Sequence, residues 1–223
     1  MMDKVEIFEK ERAFGYNNFV EALIPNYHYF LEILPKILSS VACKTILVAG
    51  CGNGNEIESL VKADQDWQVL GIDPSPDMLI QAREQLDNLS NVQLVEGLVS
   101  DLAKSEKFNA ATLLLVLHFL EDNGEKLKIL KDISDRLVPD APFVLLDITG
   151  NESEMDVNVG ILKSLLPNSL DPEKMNERLR RIRHDLFPIS EERLSELCVE
   201  AGFQAPVRFF QFAMYMGWIT RKL

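Results

Sequence analysis

The stretch Ala49-Gly50-Cys51-Gly52-Asn53-Gly54 follows the apolar run Thr45–Ala49 and precedes a segment, Glu56 to Val61, with helical character. Three glycines at alternate positions between a strand and a helix constrain the fold more than any other feature. Glycine permits positive φ and lets a ligand approach the backbone, and the N-terminus of the next helix presents unpaired N–H groups. A dinucleotide-binding fingerprint, G-x-G-x-x-G, would require glycine at 55. Asn55 stands there, so the spacing is G-x-G-x-G.

The rest of the chain continues the alternation that this loop begins. Gln68 to Ile72 is a second apolar run ending at Asp73, and Ser75-Pro76 then forms an N-cap with proline at the first helical position. Met78, Leu79, Ala82, Leu86 and Leu89 keep one face of that helix apolar. Val92 to Val95 is a third strand, and Ala111 to Leu117 reads as one continuous strand buried on both faces. Leu127, Leu130, Ile133 and Leu137 recur at helical spacing before the Pro139-Asp140 turn, and Phe143 to Ile148 returns to strand. Ser190 caps a helix carrying Leu194, Leu197 and Ala201, which Gly202 stops. Val207 to Phe210 and Ala213 to Thr220 then read as closing strands whose short connection permits only an antiparallel pair.

This order predicts a doubly wound α/β fold with a mostly parallel sheet, whose ligands bind at the carboxyl ends of the strands. All 223 residues are expected to form one domain. Residues 1–41 are an N-terminal helical cap, 42–150 the ligand-binding core, 151–189 a helical cap insertion and 190–223 the closing helix and strands. In the insertion, Asp171-Pro172 caps a helix whose apolar stripe is Met175, Leu179, Ile182 and Leu186.

Composition narrows the partners. Hydrophobic residues make up 47% of the chain and charged residues 26%, an ordinary globular balance far from that of disorder. Thirty-five acidic against 23 basic residues give a formal charge of −12, which repels a phosphate backbone, so nucleic acid is disfavoured and a small-molecule substrate expected. Cys43, Cys51 and Cys198 are odd in number and lack C-x-x-C spacing, arguing against a disulfide framework or a zinc site. His28, His118 and His184 are too far apart to form a ligand-spaced pair, so no metal is expected. The charged N-terminus lacks the apolar stretch of a signal peptide, and no apolar run is long enough to span a bilayer. These features predict a soluble, cytoplasmic protein.

The G-x-G-x-G loop and its context resemble the class I S-adenosylmethionine-dependent methyltransferases, and the resemblance follows the elements from about residue 45 to 220. It implies a Rossmann-like fold with an antiparallel C-terminal strand. It also implies S-adenosylmethionine as cofactor, held by Ala49, Gly50, Cys51, Gly52, Asn53 and Gly54. Asp73 matches the acidic residue that accepts hydrogen bonds from both ribose hydroxyls, a role suited to a group with only acceptors. Pro74 and Met78 follow it, with Met78 a platform for adenine. Gly97, Leu98 and Val99 match the adenine-contacting stretch, and Leu114 lies beside the methionine portion. Where this family often has Asp accepting from the adenine amino group, this chain has Leu98; either Asp101 compensates or adenine is held by packing and backbone contacts.

A narrower resemblance points to the carboxy-S-adenosylmethionine synthases of tRNA wobble-uridine modification. It rests on Ile24-Pro25-Asn26-Tyr27, His118-Phe119-Leu120-Glu121 and Ala201-Gly202-Phe203. It implies a cofactor contact from Tyr27. In that family an arginine of the cap grips the added carboxylate, and ungapped alignment places Leu179 there, flanked by Arg178, Arg180, Arg181 and Arg183.

Three functions follow: methyl transfer to a small acceptor, synthesis of a modified cofactor, or non-catalytic cofactor binding. Methyl transfer from an activated sulfonium needs mainly alignment, with a general base only where the nucleophile must lose a proton. His118 is a candidate base, although a lone histidine between Leu117 and Phe119 is more often a satisfied structural group. Asp147, at the end of a strand, either faces the ligand or caps the next segment. Tyr16, Tyr27 and His28 either line a pocket beneath the N-terminal cap or pack there.

Overall fold

The computed structural model describes residues 6–8, 24, 26–165 and 172–223. Tyr16, Pro25, the Asp171 cap and the side chains of Met175 and Arg178 lie outside the described residues.

Strands β1 (Thr45–Ala49), β2 (Gln68–Asp73), β3 (Val92–Glu96), β4 (Ala110–Leu114), β5 (Pro142–Ile148), β6 (Val207–Phe212) and β7 (Tyr215–Arg221) form one sheet in the order β3-β2-β1-β4-β5-β7-β6. β1 to β5 run parallel, and β7 pairs antiparallel with both β5 and β6. Among the described residues seven helices surround it: α1 (Tyr27–Ile37), α2 (Asn55–Ala63), α3 (Pro76–Gln85), α4 (Glu125–Ser134), α5 (Glu152–Leu165), α6 (Pro172–His184) and α7 (Glu191–Glu200). This is the Rossmann-like, doubly wound arrangement expected from the alternation.

Alternation along the strands sends side chains into two cores. Ile46, Val48, Ala110, Val144 and Leu146 pack with the apolar faces of α1, α2, α3, α5 and α6. Leu47, Ala49, Ala111, Leu113 and Leu145 face the opposite way, against Leu130 and Ile133 of α4 and Leu194, Leu197 and Cys198 of α7. Burial on both faces explains the nearly unbroken apolar runs of the central strands. Cys43 is exposed, unlike Cys51 and Cys198, so the apolar residues around it in sequence do not enclose it.

Strand order reverses at β1, whose neighbours are β2 and β4. The carboxyl ends of β1, β2 and β4 therefore border a crevice between loops that diverge to opposite faces. Register fixes the relative heights, with Ala49 opposite both Ile72 and Leu113, and Asp73 opposite Glu96.

The apolar run through Leu117 is not one strand. β4 stops at Leu114, Leu115 adopts φ 61°, and Leu117–Phe119 form a 3₁₀ turn. Asp147 is the physical reason: its carboxylate accepts from the backbone N–H of Val116 (3.0 Å), Leu117 (2.7 Å), His118 (3.1 Å) and Ile148 (2.8 Å). Those amides would otherwise be buried without partners. The His118 ring completes the cluster, with Nδ1 2.8 Å from Asp147 Oδ1. Lys126, fully buried, donates to the carbonyls of Leu117 and Phe187 (2.8 Å for the latter), and burial lowers its pKa against the pull of Asp147. A strand-end carboxylate and a buried lysine thus hold the loop after β4 in place.

No helix among the described residues is long and apolar enough to cross a membrane.

Asp147→Ala is expected to lower unfolding free energy by about 3 kcal/mol or more, because several buried donors lose their acceptor at once. Urea denaturation measures it; a loss under about 1 kcal/mol would mean that water or a neighbouring carbonyl replaces the carboxylate.

Candidate functional site

The chain turns upward at the carboxyl end of β1, and the turn is anchored to β2. Gly50 N–H and Cys51 N–H both donate to the Ile72 carbonyl, at 2.8 and 3.1 Å, and Gly52 N–H donates to Asp73 Oδ2 at 2.9 Å. Gly50 has φ 68°, and a Cβ there would sit 2.4 Å from a methyl of Val116. Gly52 has φ 52°, and its missing side chain leaves space bounded by the Met78 methyl, 3.1 Å from an ideal Cβ. The positive φ favours glycine at both positions, and at Gly50 the lack of clearance adds to it.

Asp73 is 8% exposed and shares out its carboxylate. Oδ2 takes the Gly52 N–H, and Oδ1 takes the Ser75 N–H at 2.9 Å. Burial raises its pKa, while the hydrogen bonds from Ser75 and Gly52 oppose that rise. The Ser75 hydroxyl adds a third hydrogen bond, and a carboxylate, which accepts about four, keeps capacity for a ligand donor.

Ser75 precedes α3 as expected, yet its side chain makes no capping hydrogen bond. Its Oγ instead accepts from Phe8 N–H at 3.1 Å, which lays the N-terminal segment across the crevice. The Phe8 ring meets Phe119 edge-to-face at 5.5 Å between centroids, and Glu6 pairs with Arg181 of α6 at 2.8 Å.

These elements enclose a cavity of about 1170 Å³, open mouth included. Gly50, Gly52, Asp73, Pro74, Met78, Gly97, Leu98, Val99 and Leu114 all line it. Ala49, Cys51, Asn53 and Gly54 belong to the same turn without forming its wall; Ala49 and Cys51 are buried in the two cores and Asn53 is 3% exposed. Tyr27 does not line the cavity. It packs at the start of α1 within the core on that side of the sheet. His118 and Asp147 are likewise outside the lining, engaged with each other behind Phe119. Asp101 accepts from Leu98 N–H at 2.8 Å, closing its own turn, and is absent from the wall as well.

Sequence reasoning missed four contributors. Phe8 and Glu6 carry no motif. Asp132, on α4, enters the wall only because α4 packs against the turn after β3. Glu56 is 5% exposed beneath the glycine turn; among the described residues its Oε1 has no hydrogen-bond partner within ordinary distance, and only the Thr112 hydroxyl opposes the effect of burial on its carboxyl. Its only sequence signal was a charge on the buried side of an amphipathic helix.

Fold and site together define a class: a Rossmann-like α/β protein with a ligand-sized crevice at the carboxyl ends of its parallel strands. Residues 47–143 match a family model described as a methyltransferase domain. Over its whole length the chain is similar to carboxy-S-adenosyl-L-methionine synthase 1 of Yersinia pseudotuberculosis serotype IB (strain PB1/+), 24% identical over 97% of this chain and 98% of the relative. Among solved structures it is similar to an O-methyltransferase family 2 protein from Planctomyces limnophilus in complex with apigenin (TM-score 0.67, 15% identity, 95% of this chain). It is also similar to human N-acetylserotonin methyltransferase in complex with SAM (TM-score 0.58, 14% identity, 91% of this chain). The chain spans about 59% of each of those two structures.

Burial pushes the Glu56 carboxyl up to about 8. Between the unfolded value near 4.5 and about 8, the unfolded chain releases a proton that the folded chain keeps, so stability falls as pH rises through this window. Glu56→Gln removes the titration. Its stability relative to the parent should therefore grow by up to about 1.4 kcal/mol per pH unit across the window. Denaturation at pH 5 and pH 8 checks this; a pH-independent difference would mean that Glu56 is ionised in the fold.

Proposed function

We propose that the cavity binds S-adenosylmethionine and that the protein transfers its methyl group to an oxygen of a small, largely apolar acceptor. The observation that carries the binding assignment is Asp73, whose two oxygens are each fixed by one backbone N–H beside a glycine turn. The carboxylate is thereby oriented by the protein and keeps acceptor capacity for a ribose hydroxyl. The space above Gly52 fits a ligand that lies against the backbone, and the turn leads into the N-terminus of α2, where a ligand carboxylate is favoured. Gly50, Gly52, Asp73, Pro74 and Met78 would hold the nucleoside and its amino-acid tail. When bound, S-adenosylmethionine supplies a methyl group already activated by a positive sulfur.

The residues' contribution is then orientation and exclusion of water. Phe8, Leu115, Phe119 and Leu120 give the cavity an apolar, partly aromatic portion beyond the glycine turn, suited to a planar or aliphatic acceptor. The formal charge of −12 favours such a molecule over a nucleic acid. The names of the solved neighbours support an oxygen acceptor. Residues 6–8 and α6, joined through Glu6 and Arg181, are proposed to act as the cap.

A second reading, synthesis of carboxylated S-adenosylmethionine, is favoured by the end-to-end alignment with the synthase. Among the described residues of the cap, three arginines already have acidic partners. Leu179 is buried, and Arg180, Arg181 and Arg183 pair with Asp185, Glu6 and Asp156.

Calorimetry with S-adenosylhomocysteine tests the assignment. Asp73→Ala is expected to weaken binding by roughly 1.5–3 kcal/mol, Asp73→Asn by less, and Gly52→Val to abolish binding with unchanged circular dichroism. Undiminished affinity in all three would contradict it. Mass analysis of the nucleoside carried through purification separates the readings, since a carboxylated sulfonium would point to the synthase.

A further inference from the structure

Resting on the proposed cofactor site, we infer that Asp132 of α4 selects the adenine base by accepting a hydrogen bond from its exocyclic amino group. With the ribose at Asp73 and the amino-acid tail toward the glycine turn, the base lies toward the end of β3, next to β2; Gly97 N–H donates to the Asp73 carbonyl at 3.1 Å. Gly97, Leu98, Val99 and Ser100 wall that end, faced by Lys128, Ile129 and Asp132. An adenine amino group buried there needs an acceptor.

Leu98 offers no side-chain acceptor, and Asp101 is turned back onto Leu98 N–H. Lys128 only donates. Asp132 is the carboxylate of this wall without a hydrogen bond of its own among the described residues; its ion-pair partner, the Arg136 guanidinium, stands 3.8 Å away. Burial raises its pKa, against the pull of Arg136 and Lys128.

The neighbouring scaffold is fixed independently of that carboxylate. Arg136 is buried, and its guanidinium donates to the backbone carbonyls of Asp132 (2.7 Å), Ser100 (3.2 Å) and Leu102 (2.5 Å). It clips the turn after β3 onto α4 through main-chain atoms, which a substitution at 132 leaves in place. The Asp132 main chain is therefore held on the same guanidinium as that of Ser100, and both residues line the cavity.

The experiment measures binding of S-adenosylhomocysteine and of S-inosylhomocysteine, in which a carbonyl oxygen replaces the amino group, to the full chain and to its Asp132→Asn and Asp132→Ala variants. The parent should prefer the adenine compound by roughly 10- to 100-fold, the factor for losing a hydrogen bond to a charged group. Asp132→Asn, whose amide can donate to the carbonyl, should bring the two compounds to within about threefold, and Asp132→Ala should lie between. Unchanged melting temperatures control for folding. Equal weakening of both compounds with the preference intact would mean a merely structural role and overturn the inference, as would a parent that binds both equally. A parent that binds neither would overturn the cofactor assignment and this inference with it.

Discussion

The join between the turn after β1 and the end of β2 governs everything above it. Gly50 and Cys51 share the Ile72 carbonyl, and Gly52 takes an Asp73 oxygen, so the glycine turn and the candidate ribose-binding carboxylate form one rigid unit. The sheet makes this possible, because parallel pairing of β1 with β2 brings Ala49 level with Ile72. Without that register the same residues would be a flexible loop and a solvated acid. The remaining walls are arranged around this unit: Met78 and Pro74 from the start of α3, Gly97 to Ser100 from the turn after β3, and Leu114 to Val116 beyond β4.

Three buried charged groups hold those walls, and each acts mainly through backbone atoms. Asp147 gathers the amides after β4, Lys126 takes two carbonyls beneath the same loop, and Arg136 takes three carbonyls where α4 meets the turn after β3. Loops at strand ends leave main-chain groups without ladder partners, and inside a fold those groups need satisfaction. A long charged side chain reaching from a neighbouring element supplies it and fixes the loop's position. His118, joined to Asp147, belongs to this arrangement rather than to the cavity wall.

Features written locally were legible in the sequence. The glycine spacing, Asp73 at a strand end and the alternation of apolar runs each depend on residues close in the chain, and they yielded the sheet, its closing antiparallel pair and the core of the candidate site. What was not legible depends on long-range pairing. Ser75 reads as a helix cap, but its hydroxyl is taken by Phe8, 67 residues away. The apolar run to Leu117 reads as one strand, but Asp147 bends it at Leu115 from 32 residues downstream (147 − 115). Tyr27 carried a resemblance-based role, yet α1 packs its ring into the core. Asp132 and Arg136 looked like ordinary helix charges until α4 was placed against the turn after β3.

Hydrogen exchange with and without S-adenosylhomocysteine reads the whole site in one experiment without altering a residue. Ligand should slow exchange at Gly50 to Gly54, at Asp73 to Ser75 and at Gly97 to Ser100, together with Glu6 to Phe8 where that segment closes over it. Protection absent from the first two stretches, or found only far from the cavity, would contradict the placement of the cofactor there.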